Sequence, residues 1–324
     1  MKFTLEIVIL TCDRPSMLKQ SLASVITQQV SFSLKTIVSD NSRSEDTSEM
    51  LSSCYPNIAT RRYNSIPSYE HFREAVHNSQ AQYIMLFHDD DVLLPGCLQA
   101  LVNSLDHNPE ISAASCNAYI SFGDQCSSRT MIRKAKSNIL ISNEKNLVER
   151  YLDYWQGGVA PLSAYVYRKS AIKPDYIDFR TGGKYSDVCM LLQVLSNGPI
   201  LWLSMPLAIY RVHEYSDNST FSARDKLLLL RTLAKTYGLH KNSILHLIAK
   251  SDIYKRYYNI NPNILKVLSR SLSKKERFVN TFILKTSLLR LFYSKGYALH
   301  LVKKFLNCSL LFRFIIYPVS FLVR

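Results

Sequence analysis

Tyr83-Ile84-Met85-Leu86-Phe87-His88-Asp89-Asp90-Asp91 decides how this chain is read. An apolar run of the right length for one buried strand ends in three adjacent carboxylates, and Pro95-Gly96 follow. Neighbouring carboxylates repel by about 4 kcal/mol per pair at ~4 Å and an effective dielectric near 20. A fold tolerates such crowding at the mouth of a core strand mainly when a cation sits there. Magnesium and manganese suit the position, being hard ions that take carboxylates, waters and substrate phosphates. The alternative is a solvated acidic turn. The carboxyl end of a core strand favours a metal–phosphate site, since open α/β sheets bind ligands at that edge.

Upstream of this stretch, Glu6–Thr11 reads as a buried strand, Pro15 opens a helix with Leu18, Leu22, Val25 and Ile26 on one face, and Thr36–Ser39 is a second strand ending in Asp40. Glu45–Ser52 reads as a helix, Ile58–Tyr63 as a weaker strand and Tyr69–Asn78 as a helix, and Pro95-Gly96 opens a further helix through Leu105. Strands alternating with helices predict a mostly parallel sheet covered on both faces. Further on, Ile111–Ile120, Ser163–Arg168, Ile200–Leu203 and Leu207–Val212 read as strands, Thr181-Gly182-Gly183 as a loop and Asp187–Ser196 as a helix.

The last third differs in kind. Residues 224–324 carry 20 Lys and Arg against only Asp225, Asp252 and Glu276, a net of +17, whereas the whole chain is +15. Lys226–Tyr237, Lys241–Asn259, Ile264–Ser271 and Phe278–Phe292 have helical spacing, and Tyr297–Arg324 mixes apolar residues with Lys303, Lys304 and Arg313. The longest charge-free stretch there is the ten residues Phe314–Val323, short of the ~20 needed to span a bilayer. Basic charge interleaved with apolar residues predicts docking on an anionic membrane surface. No Cys/His finger or RNA-binding signature accompanies it, so no specific nucleic acid is expected.

Seven scattered cysteines, an odd number with no Cys-x-x-Cys, argue against a disulfide framework or structural zinc and for a reducing compartment. Met1–Glu6 does not read as a signal peptide, because Asp13 and Arg14 follow its apolar stretch so soon. No Gly-x-Gly-x-x-Gly follows the first strand, which argues against a Rossmann dehydrogenase.

Strand, helix, strand-Asp and strand-Asp-Asp-Asp in this order resemble the GT-A nucleotide-diphospho-sugar glycosyltransferases, specifically inverting family 2 of the bacterial surface-polysaccharide type. The resemblance covers roughly residues 5–215, through Ile7–Pro15, Ile37–Ser42, Tyr83–Pro95 and Lys184–Asp187. It implies a GT-A fold, Rossmann-like with a mostly parallel sheet flanked by helices, in residues 1–218. The donor half would be about 1–110 and the acceptor half about 111–218, with a basic, mainly helical membrane-associating region at 219–324.

For the site, the resemblance places Thr11, Cys12 and Asp13 in the nucleotide pocket and makes Asp40 the acceptor for the base N–H, where a helix cap is the structural alternative. Asp89, Asp90 and Asp91 match the metal-binding Asp-x-Asp region, here beginning with His88. Spacing from Pro95 favours Asp90 and Asp91 as ligands of Mn2+ or Mg2+, with Asp89 nearer the ribose. Asp187 matches the general base and also suits a helix N-cap, with Ser186 where Glu is more usual. Arg211 would meet phosphate, His213 would complete the metal or diphosphate site, and Trp155, Gly157 and Gly158 would face the acceptor. The implied activity is inverting transfer from a nucleotide sugar, a UDP-sugar by expectation, to a glycan or lipid-linked oligosaccharide of the O-antigen or capsule type. It would act in the cytoplasm, peripheral on the inner face of the membrane. A non-catalytic glycan- or nucleic-acid-binding protein on the same scaffold is an alternative. So is a sugar nucleotidyltransferase, although Thr11–Pro15 lacks the glycines of its phosphate loop.

Overall fold

The strand that ends in the aspartates is β4 (Tyr83–His88), and every residue from Tyr83 to Phe87 is buried. The computed structural model describes residues 3–123, 125–133, 135–152, 157–213 and 223–238. β4 lies beside β1 (Leu5–Thr11), which pairs in parallel with β2 (Leu34–Asp40), which pairs in parallel with β3 (Ala59–Arg62). β1 and β4 run almost wholly apolar without alternation because both faces of the sheet are covered there, whereas β3, Ala-Thr-Arg-Arg, is largely exposed. Leu5, Ile7, Ile9, Tyr83, Met85 and Phe87 join one core with Leu18, Leu22 and Val25 of α1 (Pro15–Ile26) and Leu51 of α2 (Asp46–Cys54). The opposite face meets α3 (Ser68–Asn78), whose Ala75 and Val76 are buried. Each large side chain sealed this way contributes roughly 1.5–3 kcal/mol.

The chain then leaves parallel order. After β5 (Val92–Leu93) and α4 (Cys97–His107) come β6 (Ala113–Phe122), β7 (Gln125–Thr130), β8 (Ile139–Ile141), α5 (Glu144–Leu152) and β9 (Val166–Arg168). β9 inserts antiparallel between β4 and β6. Arg168 fastens it there: its guanidinium donates to the carbonyls of Leu105, Asn108 and Ile111, at and just beyond the carboxyl end of α4, where the helix dipole favours a cation. Then follow α6 (Phe179–Gly182), α7 (Ser186–Leu195), β10 (Ile200–Val212) and α8 (Ala223–Thr236). The path through the sheet is β3-β2-β1-β4-β9-β6-β10-β5, with β7 on β6 and β8 on β10.

Two expectations need correction. Ile200–Leu203 and Leu207–Val212 are one strand, which crosses Pro206 through register shifts against β6. Thr181-Gly182-Gly183 is not a loop: Asp178 caps α6 by accepting from the Arg180 N–H, and a 3-10 turn over Gly183–Tyr185 leads into α7. Gly183 has φ +58°, and a Cβ there would fall 2.0 Å from Asp225 Oδ1 of α8. The helices expected beyond Lys241 and the segment Tyr297–Arg324 lie outside the described residues, as does Trp155. Among the described residues no helix is long and apolar enough to cross a membrane.

Candidate active site

Register brings the predicted donor residues to one edge. Thr11 is level with Asp40 across β1 and β2, and Leu10 is level with His88 across β1 and β4, so the carboxyl ends of three parallel strands deliver Asp40, Thr11 and Asp89 side by side. Thr11 Oγ1 donates to Asp89 Oδ2 at 2.6 Å. The fourth contributor is β10, antiparallel to β5, which brings Arg211 and His213 to the aspartates. The Arg211 backbone N–H donates to Asp91 Oδ1 at 3.0 Å, Ser163 Oγ donates to Asp91 Oδ2, and His213 Nε2 lies 3.0 Å from Asp90 Oδ2. Arg211 also reaches back to α1, its Nη1 donating to Gln20 Oε1 at 2.9 Å.

The three adjacent carboxylates do not ionise alike. Burial raises Asp89 to about 6, with Arg14 and Thr11 pulling the other way. Burial and the neighbouring Asp90 charge raise Asp91 to about 7, against the donors from Ser163 and Arg211. For Asp90 burial also raises, but His88, His213 and Arg14 outweigh it and the carboxyl falls below its ordinary range. Asp90 is therefore the member of the set that ionises most readily.

Sequence reasoning gave no role to Arg14 or Ser163, which complete this edge. Arg14 Nε lies 3.2 Å from Asp89 Oδ2, Nη2 2.5 Å from Oδ1, and Nη1 3.0 Å from Asp90 Oδ2. Arg14 belongs to the first motif, Ile7–Pro15, but its partners lie 75 and 76 residues away in sequence, so no local pattern shows the pairing. Ser163 stands in an ordinary Pro-Leu-Ser-Ala context with no signal of its own.

At the end of β2, Asp40 is fully buried; Oδ1 accepts from the Ser42 N–H at 2.9 Å and Oδ2 faces Arg62 Nη1 at 3.4 Å. It folds its own loop and does not cap α2, whose cap position is Glu45. Asp13 adopts a left-handed φ of 55° and holds Arg43, accepting from its backbone N–H at 2.8 Å and from Nε at 3.0 Å. Those bonds hold the Asp13 carboxyl below its usual range. The first loop is thereby tied to the loop after β2, with Cys12 Sγ on the Asn41 carbonyl at 3.4 Å.

Asp187 stands elsewhere, in the first turn of α7. The residue keeps some exposure overall, yet its Oδ1 is buried and has no hydrogen-bond partner among the described residues. Burial raises its carboxyl to about 6, offset in part by the N–H groups of Val188 and of Asp187 itself. Tyr165 and Tyr167, stacked with ring centres 5.6 Å apart, are close enough to feel its charge. Ser163 and Tyr165 sit two residues apart, so one short segment touches both Asp91 and the surroundings of Asp187. Gly158 packs its backbone against Met131, where a Cβ would come 2.1 Å from the carbonyl, and Gly157 accepts from the Arg133 N–H at 2.7 Å.

His88, Asp90 and Asp91 each offer a ligand atom within 4.8 Å of the others. Two carboxylates and an imidazole are a fitting set for a divalent ion, and they suit Mn2+ at least as well as Mg2+. His213 borders the cluster through Asp90. Asp91 retains lone pairs beyond the two it uses, so its protein donors do not bar it from a cation.

A parallel sheet edge carrying Asp40, Thr11 and Asp89 thus adjoins an acidic cluster fit for a metal, and Asp187 stands at the start of α7. The profile described as Glycosyl transferase family 2 matches residues 6–173, more than half of the chain. The chain belongs to glycosyl transferase family 2 and is a GT-A glycosyltransferase. Among solved structures it is similar to Staphylococcus aureus TarS residues 1–349 in complex with UDP-GlcNAc, at 12% identity and TM-score 0.60 over 85% of this chain and 82% of that one. A second structure of S. aureus TarS 1–349 matches at 11% identity and TM-score 0.50, over 89% and 88%. These likenesses are of fold. No curated protein matches the sequence.

Proposed function

We propose that the protein transfers a sugar from a nucleotide-diphospho-sugar, a UDP-sugar, to a hydroxyl of a glycan or lipid-linked acceptor with inversion. The observation that carries this reading is the convergence of Asp40, Thr11, Asp89, Asp90, Asp91, Arg211 and His213 on one sheet edge from four separate segments. Asp40 and the Thr11–Asp13 loop receive the nucleoside, and Arg211 meets phosphate with a buried Nη2 that has no protein partner among the described residues. Asp90 and Asp91, with His88 or His213 beside them, hold the divalent ion, Mn2+ or Mg2+, which when bound neutralises charge on the departing nucleoside diphosphate. Asp187 takes the proton of the acceptor hydroxyl as that oxygen attacks the anomeric carbon. A carboxyl raised to about 6 with an open oxygen suits that task at neutral pH. The UDP-GlcNAc bound by TarS, a structural likeness, supports a UDP-sugar donor.

Residues 1–218 would be the catalytic unit, with donor and acceptor halves meeting near residue 110, and 219–324 a basic region that docks on an anionic inner membrane face. The net +17 of residues 224–324 supports that address and, with it, a lipid-linked acceptor of O-antigen or capsule assembly. Calorimetry with UDP tests the core of the proposal. Binding should strengthen with Mn2+, and Asp90→Asn or Asp91→Asn should remove the metal's benefit, about 10–100-fold for a lost charge-assisted contact, together with sugar transfer. UDP binding that ignores metal, or full turnover by either variant, would refute the assignment.

A further inference from the structure

Arg14 is placed against the very carboxylates a metal would need. Its guanidinium takes both oxygens of Asp89 and, through Nη1, Asp90 Oδ2, the same oxygen that His213 meets. Two donors on one carboxylate oxygen use both of its lone pairs. A divalent ion on that oxygen must therefore expel one of them. An ion on the other oxygen of Asp90 would still share that carboxylate with the guanidinium, and the two like charges repel. Arg14 can leave without unpacking the core: it sits on the loop before α1, and its side chain is 30% exposed. What it needs on leaving is another anion, and a diphosphate fits, because a guanidinium fork pairs with phosphate as it does with carboxylate.

We propose that Arg14 is a resident counter-ion of the acidic edge, displaced by the divalent ion and re-partnered by the donor's diphosphate, so that metal and nucleotide load as one coupled step. Metal alone has to strip Asp90 of Arg14 and leaves the guanidinium on Asp89, beside the ion, with no phosphate to draw it away. Metal with nucleotide gives Arg14 phosphate oxygens in exchange for Asp90, and Thr11 Oγ1 still donates to Asp89. The inference rests on the donor-site reading above, and it adds a residue and an order of events to it.

The test is Mn2+ binding followed by the electron paramagnetic resonance of the free ion, for the full chain and for Arg14→Gln and Arg14→Lys, with and without UDP. The native protein should bind Mn2+ weakly alone and more tightly with UDP. Arg14→Gln should bind Mn2+ without UDP about 10-fold tighter than the native protein, and the further gain from UDP should shrink towards none. Arg14→Lys keeps the charge but loses the fork, so it should fall between them; it also carries the test should the glutamine variant not fold. Nucleotide-free Mn2+ affinity in both variants equal to or below the native value, with native coupling to UDP intact, would overturn the Arg14 role and leave the donor-site reading standing. A native protein whose UDP and Mn2+ binding are independent would overturn both.

Discussion

The acidic edge and the start of α7 each bury a carboxylate, and each raises it, Asp91 to about 7 and Asp187 to about 6. Their surroundings are opposite. Both oxygens of Asp91 accept from the protein, one from Ser163 and one from the Arg211 backbone, whereas Asp187 Oδ1 is buried without a partner among the described residues. The pKa alone would assign the two groups the same work. Partners separate them: a carboxylate with its donors in place is pre-positioned to hold something, and one with an idle buried oxygen is ready to receive a proton. An uncompensated buried polar atom costs about 1–3 kcal/mol, so it persists where function requires it.

The largest effect should come from Asp187→Asn. Loss of a general base lowers turnover by roughly 10²–10⁴-fold, while UDP and Mn2+ binding at the acidic edge stay as they were. The native rate should fall as pH drops through about 6, as Asp187 takes up a proton, and the variant should lose that limb. A variant that keeps its rate, or that loses UDP binding with it, would erase the distinction between the two regions.

The same substitution should act on stability in the other direction. Asp187 ionises near 3.8 in the unfolded chain and near about 6 in the folded one. Between those values the folded protein holds a proton that the unfolded chain has released, so stability falls as pH rises through the window, and the cost is complete above it. The difference is worth ~3 kcal/mol. Asparagine carries no charge to bury, so Asp187→Asn should be ~2–3 kcal/mol more stable than the native protein at pH 8 and level with it below about pH 4. Urea midpoints at the two pH values measure this, and equal stabilities at pH 8 would mean that Asp187 is better solvated than its surroundings indicate.

The contrast between the regions also governs what the sequence disclosed. β1 and β4 are legible because parallel strands covered on both faces run almost wholly apolar, and β2 because the buried Ile37-Val38 leads straight to Asp40, as β4 leads to Asp89. β7 is six mostly exposed polar residues, β8 is three and β5 is two, too short or too polar for any periodicity to register. β10 reads as two strands because Ser204-Met205-Pro206 interrupts the pattern, yet β6 carries it across through shifts of register. Aspartates announce themselves by charge at a strand end. Their partners do not: Arg14 and Ser163 reach Asp89 and Asp91 across 75 and 72 residues, and such contacts exist only once the sheet is assembled.

Ser163→Ala is the smallest of these effects and the sharpest test of the contrast. Ser163 is buried, and its hydroxyl donates to Asp91 Oδ2; alanine removes that donor without opening a cavity larger than one oxygen atom. The Arg211 N–H remains on Oδ1, so Asp91 keeps half of its support and should not swing away. A lost hydrogen bond to a charged group costs ~1.5–3 kcal/mol. Because Asp91 is only partly ionised near neutrality, the lower end applies at pH 7, about 1–2 kcal/mol, and the cost grows as the pH rises above about 7 and the carboxylate becomes fully charged. The urea midpoint should therefore drop with an unchanged slope, in the opposite sense to Asp187→Asn and with the gap between the two variants widest at alkaline pH. If Ser163→Ala instead raised the midpoint, Asp91 would be as poorly compensated as Asp187, and the acidic edge would be a second strained site, not a pre-positioned one.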